Sequence, residues 1–194
     1  LLNAQPMGFW SPHTLVRDAR RHGVLVHTPD INASSHEATL EQHGESETGL
    51  AVRLGIGSVR GIGSELAREI AIHRPYASIE ELVTRVPALS RKQVEALATS
   101  GAFTDSFGDD RRRALWEAGA YGHGNIDKLQ GVMGLQTRPT LPGMEPIEEA
   151  IADLWATGIS PDGHPTIFLR EQLRAKGVIT ADQLPAVPHR DRAM

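Results

Sequence analysis

Apolar residues recur at helical spacing over most of this chain. Ser11 followed by Pro12 places a cap and a first-turn proline before a helix, and apolar residues then share one face until Gly23. The apolar residues 24–26 and the alternation over 50–54 predict short strands. The pattern predicts a mainly α protein with few short strands.

The segment between those strands, residues 34–49, is polar and acidic and has no clear period. Such a composition predicts a surface loop, here with weak strand pairing near residues 38–40.

Glycine-flanked turns between short amphipathic helices fill residues 55–121. Gly61 and Gly63 precede a helix with apolar residues on one face. Ser78 and Ser90 open further helices with capping-box spacing, and Gly101 ends the helix that begins at Ser90. Asp109 is the expected cap of the next helix. We interpret residues 50–121 as a tandem helix-hairpin-helix domain, with the second bend at Gly101.

The last third of the chain begins with a linker. Residues 122–145, rich in Gly and Pro, have no sustained period. Pro146 then starts a helix that we expect to bury Ile147, Ala150, Ile151, Leu154 and Trp155, and residues 146–194 are predicted to be a helical segment.

Composition narrows the class of protein. The chain has 194 residues and a net charge of −4, from 20 Lys and Arg against 24 Asp and Glu. Only residues 50–121 are positive, at +1, whereas residues 1–49 carry −3 and residues 122–194 carry −2. Bulk electrostatics alone would therefore not hold nucleic acid. The absence of cysteine excludes disulfides and thiolate zinc sites. No apolar run approaches the length of a membrane span, so we expect a cytoplasmic protein without membrane partners.

The candidate chemistry lies at the glycine turns. Two glycines before a helix leave its first amide N–H groups without intrahelical partners, and such a terminus binds phosphate oxygens without reading sequence. Glu65 in the first turn opposes this, and Arg60 and Arg68 offset it. We find no catalytic set, no metal-ligand spacing and no dinucleotide or P-loop motif. The candidate DNA-binding residues are Arg60, Gly61, Ile62, Gly63, Ser64, Arg68, Arg91, Lys92, Gly101, Arg111, Arg112 and Arg113.

Several segments resemble the alpha subunit of bacterial C-family DNA polymerases (DNA polymerase III alpha subunit-like). Residues 1–12, Leu-Leu-Asn-Ala-Gln-Pro-Met-Gly-Phe-Trp-Ser-Pro, with Asp-Ala-Arg-Arg-His-Gly-Val at 18–24, look like the end of its fingers domain. Residues 53–70 and 89–103 resemble its tandem helix-hairpin-helix region. Residues 152–165, Ala-Asp-Leu-Trp-Ala-Thr-Gly-Ile-Ser-Pro-Asp-Gly-His-Pro, look like the error-prone, DnaE-type branch.

The resemblance implies a fragment of a DNA-directed DNA polymerase of damage-induced mutagenesis and translesion synthesis. Residues 1–49 would end the fingers domain, and residues 146–194 would lead to an oligonucleotide-binding barrel. The family holds its Mg²⁺ with palm aspartates that are not in these residues, so the segment alone should be inactive. The implied partners are duplex DNA and damage-response accessory proteins. Gln130 lacks the aromatic anchor of a clamp-binding peptide, which argues against direct binding to the sliding clamp.

Two alternatives remain open at this point. A free-standing helical module, or a remnant of a larger protein, would dock on protein partners, as the negative charge and the apolar helix around Trp155 allow. A segment of the replicative DNA polymerase III alpha subunit would share the fold and differ in clamp binding.

Overall fold

The computed structural model describes residues 1–121 and 141–187. Residues 122–140, which include Gln130 and most of the predicted linker 122–145, lie outside the described residues, as do the last residues 188–194. The helices and strands in chain order are α1 (Pro12–Arg21), β1 (Leu25–His27), β2 (Thr39–Gln42), β3 (Leu50–Arg53), α2 (Ser64–Ile72), α3 (Ile79–Arg85), α4 (Arg91–Thr99), α5 (Thr104–Phe107), α6 (Arg111–Tyr121), α7 (Pro146–Thr157) and α8 (Arg170–Ala175). Short 3₁₀ turns cover Leu2–Ala4, Ile56–Ser58, Pro165–Ile167 and Ala181–Ala186.

A mainly helical fold with a small sheet is confirmed. Local signals set the helix starts: the Ser11 Oγ accepts the Thr14 amide at 3.2 Å, and Ser78 Oγ accepts the Glu81 amide at 3.1 Å. Helix α6 is capped by Asp110, whose carboxylate accepts the Arg113 amide at 3.0 Å. The expected cap, Asp109, instead pairs with the Arg113 side chain.

The three strands form one sheet in the order β1-β3-β2. β3 is central and pairs parallel with β1 and antiparallel with β2. The predicted boundary between residues 49 and 50 therefore runs through this sheet.

Most of the apolar core lies among the helices α2 to α6. Ile70, Leu82, Leu97 and Phe103 are fully buried there. A smaller cluster of Val16, Val26, Leu54 and Ile159 joins α1 to the sheet and to the turn after α7. The larger cluster also includes Ile31, which follows β1, so it reaches from the helices towards the sheet.

Helix α7 buries the expected face only in part. It packs against α4 with Ala150, Asp153 and Ala156 buried. Ile151 and Trp155, expected in the core, are 54% and 47% exposed. Small side chains let α7 approach its neighbours closely, and Asp153 is accepted because Arg111 pairs with it at 2.6 Å.

Candidate nucleic-acid interface

Two turns between helices repeat the same pattern at an offset of 27 residues. We call residues 59–63 hairpin 1 and residues 86–90 hairpin 2. In hairpin 1 the Ile62 amide donates to the Val59 carbonyl at 3.0 Å, and in hairpin 2 the Leu89 amide donates to the Val86 carbonyl at 3.1 Å. All four side chains are buried. Each hairpin is therefore a tight turn anchored by two apolar residues.

The helix after each hairpin continues the repeat. Ala67 and Ile70 of α2 correspond to Val94 and Leu97 of α4, and all four are buried. With the apolar residues facing the core, the turn tip and the first residues of each helix face solvent. The amides of those first residues have no intrahelical acceptor.

Hairpin 1 exposes its backbone through two glycines. Gly61 has φ +78°, a conformation that favours glycine. Gly63 caps α2 with an ordinary φ of −74° and provides no side-chain hydrogen bond to the helix amides. A Cβ at Gly63 would meet no atom of the chain within 4 Å. Neither backbone conformation nor internal packing therefore requires glycine at position 63.

Gln93 joins the two hairpins. Its Nε2 donates to the Gly61 carbonyl of hairpin 1 at 2.8 Å, and its Oε1 accepts the Ser90 amide of hairpin 2 at 2.8 Å. One side chain thereby fixes the spacing between the two turns. From the sequence, Gln93 is recognisable only as the third residue of a capping box. Its contact with the Gly61 carbonyl is visible only in the structure.

Positive side chains surround the hairpin tips. Arg60 lies in hairpin 1, Arg68 lies on the helix after it, Lys92 follows hairpin 2, and all three are exposed. They form no ion pair within residues 1–121 and 141–187. Arg91 is also exposed, but its Nε donates to Glu95 at 2.7 Å. The exposed Glu65 is the acidic residue in the first turn of α2.

Hairpin 1 also contacts α7. The Arg60 amide donates to the Ala156 carbonyl at 2.7 Å, and the Arg60 guanidinium lies over the Trp155 ring, 4.9 Å from its centroid. The cation–π contact holds the Arg60 charge beside the turn. Sequence reasoning placed Trp155 in the core and missed this role.

Comparison with known proteins gives the same arrangement a family context. Residues 23–114 match the family described as helix-hairpin-helix motif. Over its whole length the chain is 52% identical to the error-prone DNA polymerase of Mycolicibacterium paratuberculosis, and it covers 18% of that protein. It is also 52% identical to the error-prone DNA polymerase of Mycobacterium tuberculosis strain H37Rv, and it covers 17% of that protein. It is 49% identical to the error-prone DNA polymerase of Nocardia farcinica and covers 17% of that protein.

This chain is homologous to one segment of the error-prone DNA polymerases. It spans about 18% of the length of the curated relatives it matches. The helix-hairpin-helix region of this homologous segment extends back to residue 23 in the family match, so it includes the sheet as well as the hairpins.

The predicted second bend at Gly101 does not have the expected geometry. Gly101 is buried with φ +80°, and its amide donates to the Ala98 carbonyl at 3.1 Å. A Cβ there would lie 2.8 Å from Arg111 Nε. Gly101 ends α4 and packs under Arg111, and the second hairpin of the homologous segment is at residues 86–90. The repeat of Val59 and Ile62 as Val86 and Leu89 is the sequence signal that locates it.

The arginine cluster 111–113 holds α6 to its surroundings. Arg111 is buried and its Nη1 donates to Asp153 at 2.6 Å. Arg112 donates to Glu148 of α7 at 2.6 Å, and Arg113 Nε lies 3.1 Å from Asp109. Arg111 is inaccessible to phosphate, and we leave it out of the interface. The other two are half-buried and already paired.

Burial raises the pKa of Asp153 to about 6, although the adjacent Arg111 guanidinium favours the ionised carboxylate. This pair is internal to the α6–α7 contact and does not face the hairpins. In the described ranges, no group of three His, Asp or Glu side chains is placed to hold a metal ion. No helix described in these ranges has the length and apolar character required to cross a membrane.

Proposed function

We propose that this segment holds duplex DNA, without reading its sequence, for an error-prone DNA polymerase. Hairpins 1 and 2 would place backbone amides and exposed cations against the phosphates of the duplex. The proposed contacts are Arg60, Gly61, Ile62, Gly63, Ser64, Arg68, Arg91, Lys92, Arg112 and Arg113, with Ile62 acting as the buried anchor of its turn.

Gly63 is the observation that carries this proposal. Its lack of a side chain has no internal explanation, because its φ is ordinary and the space beside it is empty. The lack of a Cβ matters when another molecule approaches the backbone closely, and the first residues of α2, whose amides have no intrahelical acceptor, are exposed at that point. A phosphate group is the ligand that such a helix terminus favours.

The charge distribution is consistent with weak binding to the phosphate backbone of DNA. Arg60, Arg68 and Lys92 flank the tips, whereas the whole chain carries −4. Binding would therefore depend on a few local contacts in addition to the amides. The affinity should fall with salt, because each neutralised phosphate contributes about −0.9 to the slope of log K against log salt concentration.

The polymerase activity itself belongs, in this proposal, to the longer protein. Nucleotidyl transfer needs Mg²⁺ held by carboxylates, and we place that site outside this segment, which by itself should be inactive. We propose that the same longer protein synthesises DNA past damaged templates. We also propose that it is cytoplasmic and binds damage-response accessory proteins. Lack of direct clamp binding also stays a prediction.

The test replaces Gly63 with serine. Serine is a good helix cap, so Gly63→Ser should keep or raise stability by a few tenths of a kcal/mol. Its hydroxyl would occupy a helix amide and its Cβ would separate the backbone from a phosphate. We expect about tenfold weaker duplex binding by fluorescence anisotropy, equally for two unrelated duplex sequences, which corresponds to about 1.4 kcal/mol.

The matched control is Gly44→Ser. Gly44 is exposed in the loop after β2, and a Cβ there also meets nothing within 4 Å. The control should bind duplex like wild type. Wild-type affinity in Gly63→Ser would contradict the role of the hairpin 1 backbone, and a salt slope near zero for the wild-type chain would favour a protein-docking module instead.

A further inference from the structure

A cleft of about 460 Å³ lies between α1 and the segment from residue 160 to α8. Its walls carry four arginines: Arg17, Arg20 and Arg21 from α1, and Arg170 from α8. None of the candidate DNA-binding residues lines it. This α1 cleft is therefore separate from the tips of hairpins 1 and 2.

The positive charge of the α1 cleft is only partly balanced, and outside its lining Asp182 is near enough to Arg170 to interact with its charge. Asp162 is the carboxylate in its lining, and it is 79% exposed and lies 3.4 Å from Arg20. Arg17, Arg21 and Arg170 form no ion pair in the part of the chain that the structure describes.

The remaining nearby acid on α1, Asp18, faces His22 at 3.8 Å. Elsewhere in this acidic chain, arginines near carboxylates are paired closely, as Arg91 is with Glu95 at 2.7 Å. A row of unpaired guanidinium groups is suited to a polyanion.

His13 adds a polar group with an unused hydrogen-bonding position. Its Nδ1 accepts the Ser160 amide at 3.4 Å, so the neutral ring carries its proton on Nε2. That Nε2 is buried and has no hydrogen-bond partner among the described residues. Burial, followed by the nearby His164 and Arg17, lowers the pKa of His13 and favours the neutral ring. The His13 ring is therefore an uncharged part of the cleft wall, and the positive charge of the cleft comes from its arginines.

The cleft lies close to hairpin 1. The Arg60 amide of hairpin 1 donates to the Ala156 carbonyl, and Ser160 in the cleft lining is four residues further along the chain. Four residues reach at most about 14 Å. Duplex DNA carries about one phosphate charge per 1.7 Å of axis, so a duplex on hairpin 1 has several phosphates within that reach.

We propose that the α1 cleft is a second binding site for the phosphodiester backbone of the DNA that hairpin 1 holds. This inference rests on the proposed function, because it takes the ligand to be DNA. The arginines bind phosphates beyond the hairpins and lengthen the contact along the nucleic acid.

The test compares two double variants of the full chain. Arg17→Ala with Arg170→Ala removes two cations from the cleft. The control, Arg174→Ala with Lys176→Ala, removes the same charge from exposed residues of α8 and its end, outside the cleft lining. Urea unfolding establishes that both variants retain the wild-type fold.

Duplex affinity is then measured by anisotropy over a range of salt concentrations. The cleft variant should bind more weakly than the control, and its salt slope should be smaller in magnitude by about 1.8, which is two phosphate contacts. A cleft variant that matches the control in both affinity and slope overturns the inference.

Gly63→Ser in the same assay separates the two proposals. If Gly63→Ser weakens binding and the cleft variant does not, the hairpin proposal stands and the cleft is not a DNA site. If the cleft variant weakens binding and Gly63→Ser does not, the cleft holds DNA and the hairpin 1 backbone contact is refuted. If the wild-type chain binds no duplex at low salt, both proposals fall.

Discussion

Arg111 and Arg112 are neighbours in sequence that reach the same helix, α7, and they provide a direct test of how burial controls an ion pair. Arg111 is 9% exposed and contacts Asp153, which is 2% exposed. Arg112 and its partner Glu148 have side chains that are 33% and 43% exposed. Each arginine nitrogen lies 2.6 Å from its carboxylate oxygen.

Replacing Arg111 with methionine leaves the Asp153 carboxylate buried without a counter-ion. Breaking a buried pair in this way costs about 3–5 kcal/mol, whereas losing an exposed pair costs about 0–1 kcal/mol. For a chain of this size, the loss of a buried pair therefore lowers Tm by roughly 10 °C. Arg112→Met is the control, and it should change Tm by no more than about 3 °C.

The destabilisation by Arg111→Met should also depend on pH. Burial already raises the pKa of Asp153 to about 6, and removing Arg111 raises this pKa further because the guanidinium favours the ionised form. At pH 5 Asp153 of the variant is protonated, so the cost is small. It grows towards pH 8 as the carboxylate has to ionise in the interior.

The assays are thermal and urea unfolding followed by circular dichroism at pH 5 and pH 8, together with duplex binding at pH 8 below the unfolding temperature. Because Arg111 is buried, the folded variant should bind DNA like wild type. Equal losses for Arg111→Met and Arg112→Met at pH 8 would refute the reasoning from burial. Selective loss of DNA affinity in a folded Arg111→Met variant would return Arg111 to the interface.

Three further results are expected. Gln93→Ala removes the link between the Gly61 carbonyl and hairpin 2, so it should cost about 1–2 kcal/mol in urea unfolding and weaken duplex binding several-fold; wild-type affinity would contradict it. Tyr76→Phe removes the buried bond from Tyr76 Oη to the Ile70 carbonyl, and should cost about 1 kcal/mol without changing DNA affinity. Asp153 has a pKa raised from 3.8 to about 6, so its contribution is complete below the lower value and is lost as pH rises through the higher one. Between acidic and neutral pH, the free energy of unfolding of the wild type should fall by up to about 3 kcal/mol relative to that of Asp153→Asn. If the two free energies change in parallel with pH, the raised pKa of Asp153 is contradicted.

Local signals in the sequence were enough to place most helices. Ser11 and Pro12 start α1, and the apolar face before Gly23 sets its length, because capping and periodicity act within a few residues. The helix after hairpin 1 and the helix after Ser90 also lie where their patterns predict.

Long-range partners account for the errors. The period of α7 identifies an apolar stripe, but the helix also buries Asp153, whose burial depends on Arg111 of α6, and the sequence of α7 does not show that partner. Asp110 competes with Asp109 for one cap, and only the backbone geometry decides between them. The sheet brings β3 between two earlier strands, so the boundary at residues 49 and 50, which stays a prediction, falls within one sheet.

The candidate site was predictable in part. Gly61, Gly63 and the helix after them follow from glycine chemistry, and the structure places them at an exposed turn. Gly101 is also a glycine at a turn between helices, but with its φ of +80° it ends α4 in the interior, packed under Arg111. A glycine that ends a helix and a glycine that exposes a backbone look alike until the neighbours are known.

The 27-residue repeat separates the constant part of each turn from its variable part. The two halves agree at inward positions, such as Val59 with Val86, and differ at the outward tips, where Gly63 corresponds to Ser90 and Glu65 to Lys92. The buried anchors hold each turn in shape and leave the composition of its tip free to differ. Exchanging the tip residues between the two turns would therefore change the groups presented to solvent without altering either anchor.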